Sequence, residues 1–428
     1  MIATRRSRAR HAALWVLLSL PLSACGGFVD NLLEVDAPSR VIGGTLAIPG
    51  NAALLVSSAI ADLECALAFY VLSSALLGDE LVDAQLAAAT WDYDRRGFAD
   101  GQGAYATNTC SSTGNIFGVY RPVATARWTA DNVVTLLDGW SDAEVADRQS
   151  LLARALAYDG YAHVLLGEGF CTAAVDGGPE LTSAQILQRA EERFTRAIQM
   201  AQESNQPDIL NMSLVGRARV RLDLNRAAEA ASDAAQVPTA FVQNASYTTA
   251  SARSGNHVFR WNNRFFWASV DPKYQKLTVD GVPDPRVPVD SSGLRGADAF
   301  TLVWRQGKYA SETSPIPIAT GIEARLIEAE AAGGQAAVDI INTLRARHDL
   351  PAYTGSASAE AVRALIIDER RRELFLDGHH IHDIIRYQLP LTPAAGTSYP
   401  LKGGTYGTTT CLLLPRIERD NNPSLQGT

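Results

Sequence analysis

The sequence predicts a mainly α-helical fold, in which paired helices form a scaffold and long irregular loops with a few short strands are inserted. Apolar residues recur with helical spacing over most of the chain. Two long segments rich in aromatic, Gly and Pro residues lack that spacing. The 428 residues, 46% of them hydrophobic and 20% charged, suffice for a large core in a folded globular protein.

Residues 1–24 are predicted to be a signal peptide. Four arginines precede an apolar stretch from about Ala12 to Leu20, and small residues follow, which is typical of a secretory signal. The tetrapeptide Leu-Ser-Ala-Cys at 22–25 resembles the lipobox of bacterial lipoproteins, so we expect Cys25 to carry acyl chains such as palmitate. Residues 25–50 would then be a lipidated tether. The alternatives are a chance cysteine or a transmembrane anchor, for which the apolar run is short.

Net charge bears on the possible binding partners, and cysteine content bears on the disulfides. The net charge is −8, and cleavage would remove four arginines and no acidic residue. Nucleic acid is therefore not an expected partner. The even number of cysteines after Cys25 predicts one or two disulfides in an exported chain, but the sequence leaves their pairing open. These cysteines are Cys65, Cys110, Cys171 and Cys411.

Residues 51–428 are predicted to form one helical domain. Amphipathic periodicity predicts helices at 52–77, 119–140, 143–168, 183–204, 211–236, 318–334, 335–348 and 358–387. Small residues flank a turn near 223–225, a pattern that resembles a tetratricopeptide helix-turn-helix. Such pairs bury their apolar faces by stacking, so the scaffold is expected at about 119–236 and 318–387. Trp128 and Trp140 lie on a periodic helix and are predicted to be core residues.

The segment FLDGHHIHDIIRY at 375–387 first suggests a metal site, because three histidines and two aspartates fall within it. On a helix, however, His380 and His382 point about 200° apart, so the possible ligands do not converge. We therefore predict no metal. Instead, Glu373 and Asp377 are expected to form ion pairs with Arg371, Arg372 or Arg386 that hold the last helix in place.

The same region carries the strongest resemblance to a known family. The string RRELFLDGHHIHDIIRY resembles the most specific motif of the SusD/RagB family. Segments 120–132, 151–170, 306–332 and 412–425 resemble further family segments in the expected order, although Glu168-Gly169 and Arg416 depart from the pattern. The resemblance implies that the matching motif residues stabilise the fold and do not bind ligand. They are Arg372, Glu373, Asp377, Gly378, His379, Asp383 and Arg386.

The resemblance implies a function as well as a fold. Members of this family are outer-membrane lipoproteins that capture oligomeric nutrients, usually glycans and sometimes peptides, at the cell surface. They act as a hinged lid over a SusC-like TonB-dependent transporter. No cofactor and no enzymatic activity are expected, and the sequence has no HExxH, GxSxG, Walker-type or GxGxxG motif of an enzyme. The alternative is a periplasmic tetratricopeptide-type scaffold that binds other proteins.

Ligand-binding residues are expected in the two loop regions, at about 90–115 and 237–317. Sugars stack their C–H faces on flat aromatic rings, while polar side chains bind the hydroxyl groups. The resemblance places the ligand face in these same two regions. The candidates are Trp91, Asp92, Tyr93, Tyr105 and Asn108 in the first region, and Trp261, Asn262, Trp267, Tyr274 and Trp304 in the second.

Overall fold

Helical segments dominate the computed structural model, which describes residues 46–97, 103–112 and 114–426. Cys25 and the signal segment lie outside the described residues, so their predicted roles are not addressed by it. The α-helices of the described ranges are α1 (Ala52–Leu77), α2 (Ala88–Arg95), α3 (Ala104–Thr107), α4 (Tyr120–Gly139), α5 (Arg148–Gly169), α6 (Ser183–Glu203), α7 (Pro207–Asp223), α8 (Ala227–Ala234), α9 (His257–Phe259), α10 (Gly321–Ala332), α11 (Gly334–Ala346), α12 (Ala359–Glu373), α13 (His380–Tyr387) and α14 (Arg416–Asn421).

Helix α1 is the central helix of the core. It begins and ends where the apolar periodicity predicted, and eighteen of its residues are buried. The segment Pro49–Leu77 is apolar and long enough to cross a membrane, but 56% of its most apolar window is buried inside the protein. Neighbouring helices α4, α5 and α13 cover it. This helix therefore provides a core for the fold, which explains its apolar character without a membrane.

Helices α4 to α8 form the predicted scaffold, with each helix packed on the next one in the chain. Phe194 of α6 shows how closely they approach, because a Cβ added at Gly160 or Gly216 would lie 2.6 Å or 2.4 Å from its ring. The phenyl ring thus occupies the space that two glycines leave on α5 and α7. The predicted turn near 223–225 separates α7 from α8, with Asn225 at φ 60°. The tetratricopeptide-like arrangement is confirmed.

One predicted core residue is on the surface instead. Trp128 is 56% exposed, so this prediction is wrong. The buried face of α4 runs through Val123, Ala126, Ala130 and Val134, and Trp128 lies on the other side of the helix. Trp140, by contrast, is partly buried against the core as expected.

Helices α10 to α12 form a second layer with its own small core of apolar residues, whereas Ile381 of α13 belongs to the main core. The single helix predicted at 358–387 is wrong, because the chain leaves the helical conformation between α12 and α13. Leu376 has φ 57° and Gly378 has φ 87°, both in the left-handed region. The amide of Leu376 donates a hydrogen bond to Glu80 Oε1 (2.8 Å), which fixes the break against the end of α1.

The expected short strands lie mostly in the loop regions and form two-stranded antiparallel ladders. They pair β1 with β5, β2 with β3, β4 with β10, β6 with β7 and β8 with β9. Ladder β1–β5 joins the segment that follows α1 to the second loop region, with Leu81 opposite Val270. The strands are β1 (Leu81–Asp83), β2 (Thr172–Ala174), β3 (Glu180–Thr182), β4 (Val242–Ala245), β5 (Ala268–Val270), β6 (Thr278–Val279), β7 (Val282–Pro283), β8 (Val289–Arg295), β9 (Leu302–Gln306) and β10 (Ile316–Thr320).

Two disulfides resolve the pairing that the sequence left open. Cys65 of α1 bonds to Cys110 in the first loop region. Cys171, after α5, bonds to Cys411 near the C terminus. Both bonds attach an irregular segment to a core helix or its end, so they restrict the parts of the chain that hydrophobic packing holds least.

Candidate functional site

The two loop regions meet in a cleft of about 270 Å³. Residues 109–112 and 114–117 form one side, and residues 257–267 form the other. We refer to it as the aromatic cleft, since five of its lining residues are Phe or Trp. Its lining comprises Phe69, Thr109, Ser112, Gly114, Ile116, Phe117, His257, Arg260, Trp261, Phe265 and Trp267.

A π-helical turn at Arg260–Arg264 positions the second side of the cleft. The Asn262 side chain holds this turn, because its amide donates to the carbonyls of Ala268 and Trp304 (both 2.9 Å) and its Oδ1 accepts from the amide of Gln306 (2.7 Å). Single π-helical turns are frequent at functional sites. Asn262 therefore fixes the backbone beneath Trp261 and does not present its amide to the cleft.

Three aromatic rings form the wall that follows this turn. Phe265 and Trp267 stack with their centroids 4.4 Å apart and their planes 20° from parallel. Trp261 meets Trp267 edge-on at 4.9 Å, and the Trp267 amide donates to the Trp261 carbonyl (2.8 Å). Phe265 is 37% exposed, and the Arg264 guanidinium lies 4.9 Å from the centroid of its ring, so this end of the wall presents both apolar ring surface and a cation.

The opposite side of the cleft is a loop fixed at both ends. The Cys65–Cys110 disulfide joins it to α1, and Asn108 Nδ2 donates to the carbonyl of Ile116 (3.1 Å). Ser112 Oγ accepts from the amide of Thr109 (3.0 Å). Thr109 Oγ1 accepts in turn from the amide of Ser111 (3.3 Å), and both Thr109 and Ser112 line the cleft on this side.

Charge at the cleft is concentrated on its rim. Arg260 Nε lies 3.1 Å from Glu312 Oε2, and Arg264 also pairs with Glu312. Burial, together with Arg260, lowers the pKa of His257 to about 3, so this imidazole is neutral at physiological pH. Sequence reasoning missed His257 and Arg260, because only the fold shows that SGNHVFRWNN at 254–263 faces a cavity.

Other predicted ligand residues have different surroundings. Tyr93 and Tyr105 are buried next to each other, with ring centroids 6.1 Å apart, and Tyr274 is buried against Phe375 at 4.9 Å. Trp304 is partly buried, and the Lys276 ammonium lies 5.5 Å from its ring. None of these four residues lines the aromatic cleft.

Trp91 and Asp92 lie on α2, also away from the aromatic cleft. The indole of Trp91 donates to the Gln85 carbonyl (2.8 Å), while Asp92 pairs with Arg95 (2.6 Å). The Lys402 ammonium lies 5.9 Å from the Trp91 ring. Trp91 is therefore close to a different cavity, one to which Lys402 contributes.

This second cavity has a volume of about 490 Å³ and lies beside β1 and α2. Two buried carboxylates are at its edge: Asp94 accepts from the Asp83 amide (2.7 Å) and from the Tyr399 hydroxyl (2.8 Å). Burial raises the pKa of Asp94 to about 7. Lys402 donates to Asp83 (2.7 Å) and lies 3.3 Å from Asp298, so its ammonium is already neutralised by the protein.

The motif residues at 372–386 are held in ion pairs, but with other partners than expected. Glu373 pairs with Arg286 (3.1 Å), and Asp377 with Lys308 (2.6 Å). The predicted pairing of Glu373 and Asp377 with Arg371, Arg372 or Arg386 is therefore wrong. The prediction fails because the helix breaks between α12 and α13, and this break turns Asp377 away from α12.

The remaining motif residues form a buried network between helices. Asp383 pairs with Arg370 (2.9 Å) and Arg386 (3.2 Å), and Arg372 pairs with Asp284 (2.9 Å). These contacts connect α12 and α13 with the second loop region. Since a buried charge that loses its partner is strongly destabilising, the network holds the segment in one arrangement.

The motif histidines are held in different ways. His379 Nε2 lies 3.4 Å from Arg219, whereas His382 pairs with Asp223 (3.2 Å). Burial and neighbouring cations lower the pKa of His379. Despite its burial, the Asp223 carboxylate raises the pKa of His382 to about 9. In the described part of the chain, no group of three or more His, Cys, Asp or Glu residues is placed to hold a metal ion.

Comparison with known proteins agrees with the C-terminal motif. Residues 323–411 match the SusD family model, a stretch that runs from the first turn of α10 to beyond α13. This part of the chain is similar to the SusD family. No curated protein matches its sequence.

Solved structures extend the similarity to the whole fold. A SusD-like carbohydrate binding protein from Bacteroides vulgatus is 16% identical, with 89% of this chain and 97% of that chain covered at a TM-score of 0.62. A laminarin binding SusD-like protein is 14% identical, with 86% and 97% covered at a TM-score of 0.63. A SusD superfamily protein from Parabacteroides distasonis is 12% identical, with 91% and 100% covered at a TM-score of 0.66. These values establish a SusD-like fold.

Proposed function

We propose that this SusD-like protein binds an oligosaccharide in the aromatic cleft. The observation that carries the proposal is the stacked pair Phe265–Trp267, which offers an apolar surface at a cleft whose other side bears the hydroxyl groups of Thr109 and Ser112. A pyranose ring places its C–H face on such a surface, and its hydroxyl groups bind the polar side. The proposal is of binding alone, without catalysis or a cofactor.

Two comparisons support a carbohydrate over a peptide as ligand. Solved proteins of the same fold include one described as carbohydrate binding and one described as laminarin binding. The cleft itself is less suited to an extended peptide, since in the described residues no unpaired strand edge lines it for β-augmentation. A peptide ligand would instead use the same rings for its apolar side chains.

We further propose that the protein is anchored to the outer membrane through lipid on Cys25 and delivers its ligand to a TonB-dependent transporter. The lipobox-like sequence supports the anchor. A tether of about twenty residues between Cys25 and the folded body would let the body swing as a lid over the transporter. Facing the cell surface is part of the same proposal.

A protein-interaction scaffold is the second candidate, and one observation favours it. Helix α6 contributes to an open groove of about 590 Å³, lined by Glu191, Thr195, Arg196 and Arg226 among others. Charged grooves on tetratricopeptide-like helices suit a protein partner. Recovery of the native protein from mild detergent separates the two candidates: a transporter barrel among its partners supports delivery, and only soluble proteins would support the scaffold.

The binding proposal is tested with a panel of laminarin, starch, dextran, inulin, levan and xylan by affinity electrophoresis. We expect the wild type to be retarded by at least one glycan. Phe265→Ala and Trp267→Ala should each weaken that binding by about tenfold, or roughly 1.4 kcal/mol. Trp128→Ala is the matched control, since it removes an exposed indole outside the cleft. If no glycan retards the wild type, the binding proposal is refuted.

A further inference from the structure

The aromatic cleft contains three buried polar atoms that lack a hydrogen-bond partner among the described residues. They are both ring nitrogens of His257 and the indole nitrogen of Trp261. Both side chains line the cleft, and each is only 3% exposed. These three atoms form what we call the polar floor of the cleft.

Unpartnered atoms of this kind are costly. A buried donor or acceptor without a partner destabilises the fold by roughly 1–3 kcal/mol. The two rings are neighbours, with centroids 5.9 Å apart and planes at 69°. Their clustering at one cavity wall indicates that their hydrogen bonds are made with a molecule that enters the cleft.

The chemistry of the floor defines what it can bind. Because its pKa is lowered to about 3, His257 is neutral and offers one donor and one acceptor, whereas the Trp261 indole offers a donor only. Hydroxyl groups both donate and accept, so a pair of adjacent hydroxyls satisfies the floor. An ammonium could bond only to the imidazole acceptor, and a carboxylate could only accept.

The floor is also fixed in position. His257 stacks on Phe69 of α1 at 3.9 Å, and Asn256 caps the turn before it by accepting from the amide of Phe259 (3.1 Å). Trp261 lies on the π-helical turn that Asn262 anchors. Neither ring has to be ordered at the moment of binding, which reduces the entropic cost.

We propose that His257 and Trp261 determine specificity in the aromatic cleft by binding two neighbouring hydroxyl groups of a sugar ring. This inference rests on the proposed carbohydrate binding and names the groups of the ligand that the site recognises. The three nitrogens are closed to solvent in the empty cleft, so binding has to shift some of the side chains that line it. A deoxy sugar at this subsite leaves the floor unsatisfied and binds weakly.

The test uses the full-length lipoprotein in detergent and the six glycans named above. His257→Phe keeps an aromatic ring against Phe69 and removes both ring nitrogens. His257→Leu also removes both nitrogens, but replaces the ring with a smaller apolar side chain. We expect either variant to bind the best-bound glycan at least about tenfold more weakly. The melting temperature should not fall, since unpaired buried nitrogens are removed. A purely structural role would not separate binding from stability in this way.

His380→Phe is the matched control. His380 is also a buried histidine with a pKa lowered to about 3, and it packs edge-on against Tyr274 at 6.2 Å, outside the cleft. A measurement on the wild type needs no substitution: adding the glycan should shift the ¹⁵N signals of the His257 ring and leave those of His380 unchanged.

The possible outcomes distinguish a failure of the polar floor from a failure of carbohydrate binding. Wild-type affinity in a folded His257→Phe or His257→Leu variant, or unchanged His257 ring signals in the glycan complex, overturns the role of the polar floor and leaves carbohydrate binding intact. Absence of binding by the wild type to every glycan refutes carbohydrate binding, and the inference falls with it.

Discussion

Glu80→Gln should make the stability of the fold less sensitive to alkaline pH. Glu80 is 1% exposed, and burial raises its pKa from 4.5 to about 7. A raised carboxyl pKa means that the folded state binds the proton more tightly than the unfolded state. The stabilisation is therefore complete below pH 4.5 and is lost as the pH rises towards 7 and above.

The size of the effect follows from this shift. At about 1.4 kcal/mol per pKa unit, ionisation of Glu80 should lower the unfolding free energy of the wild type by roughly 2 kcal/mol between pH 5.5 and pH 8.5. Glutamine does not ionise and can still accept the Leu376 amide hydrogen bond that Glu80 accepts at 2.8 Å. The variant should thus lose roughly 2 kcal/mol less than the wild type over this range.

Urea unfolding of the chain without residues 1–45 at both pH values, with disulfides intact, measures this difference. Glu203→Gln is the matched control, because Glu203 is an exposed glutamate on α6. Equal pH dependence in the wild type and Glu80→Gln would refute the reasoning, since it would mean that the Glu80 carboxyl is not desolvated in the folded protein.

Three other predictions concern packing, acid stability and anchoring. Phe194→Ala should destabilise the scaffold by about 3–5 kcal/mol in urea unfolding, because two glycines make room for this fully buried ring; a loss below about 1 kcal/mol would contradict the packing. His257→Leu should make the fold less sensitive to acid. The pKa of His257 is about 3 in the folded protein, so the unfolding free energy of the wild type falls as the pH drops from about 6.5 towards 3. An unchanged pH dependence in the variant would argue against a buried neutral imidazole. Cys25→Ala should move the protein from the membrane to the soluble fraction on cell fractionation, and a variant that stays with the membrane would count against lipidation.

Much of the helical scaffold could be predicted from sequence because the apolar spacing and the packing agree there. Helix α1 is bounded as its run of apolar residues predicts, and the turn after Asp223 lies where small residues and Asn225 indicated it. The break between α12 and α13 could not be predicted. It depends on a hydrogen bond from Leu376 to Glu80, almost 300 residues earlier in the chain, and local propensity carries no signal of that contact.

The candidate site was harder to predict than the fold. Of the predicted loop aromatics, Trp261 and Trp267 line the cleft, and their role in ligand binding stays a prediction. Composition could not distinguish them from Tyr93, Tyr105 and Tyr274, which are buried away from the cleft, since only tertiary contacts decide which cavity a loop aromatic lines. No local sequence pattern marks His257 as a site residue, because only the fold buries its ring nitrogens without hydrogen-bond partners.

The most direct test of carbohydrate binding is a crystal structure of the protein with the best-bound glycan of the panel. We expect a sugar ring stacked on Phe265 or Trp267 in the aromatic cleft, with hydroxyl groups at His257 and Trp261. A glycan bound in the cavity beside Asp83 and Asp94, or in the groove of α6, with an empty aromatic cleft, would contradict it.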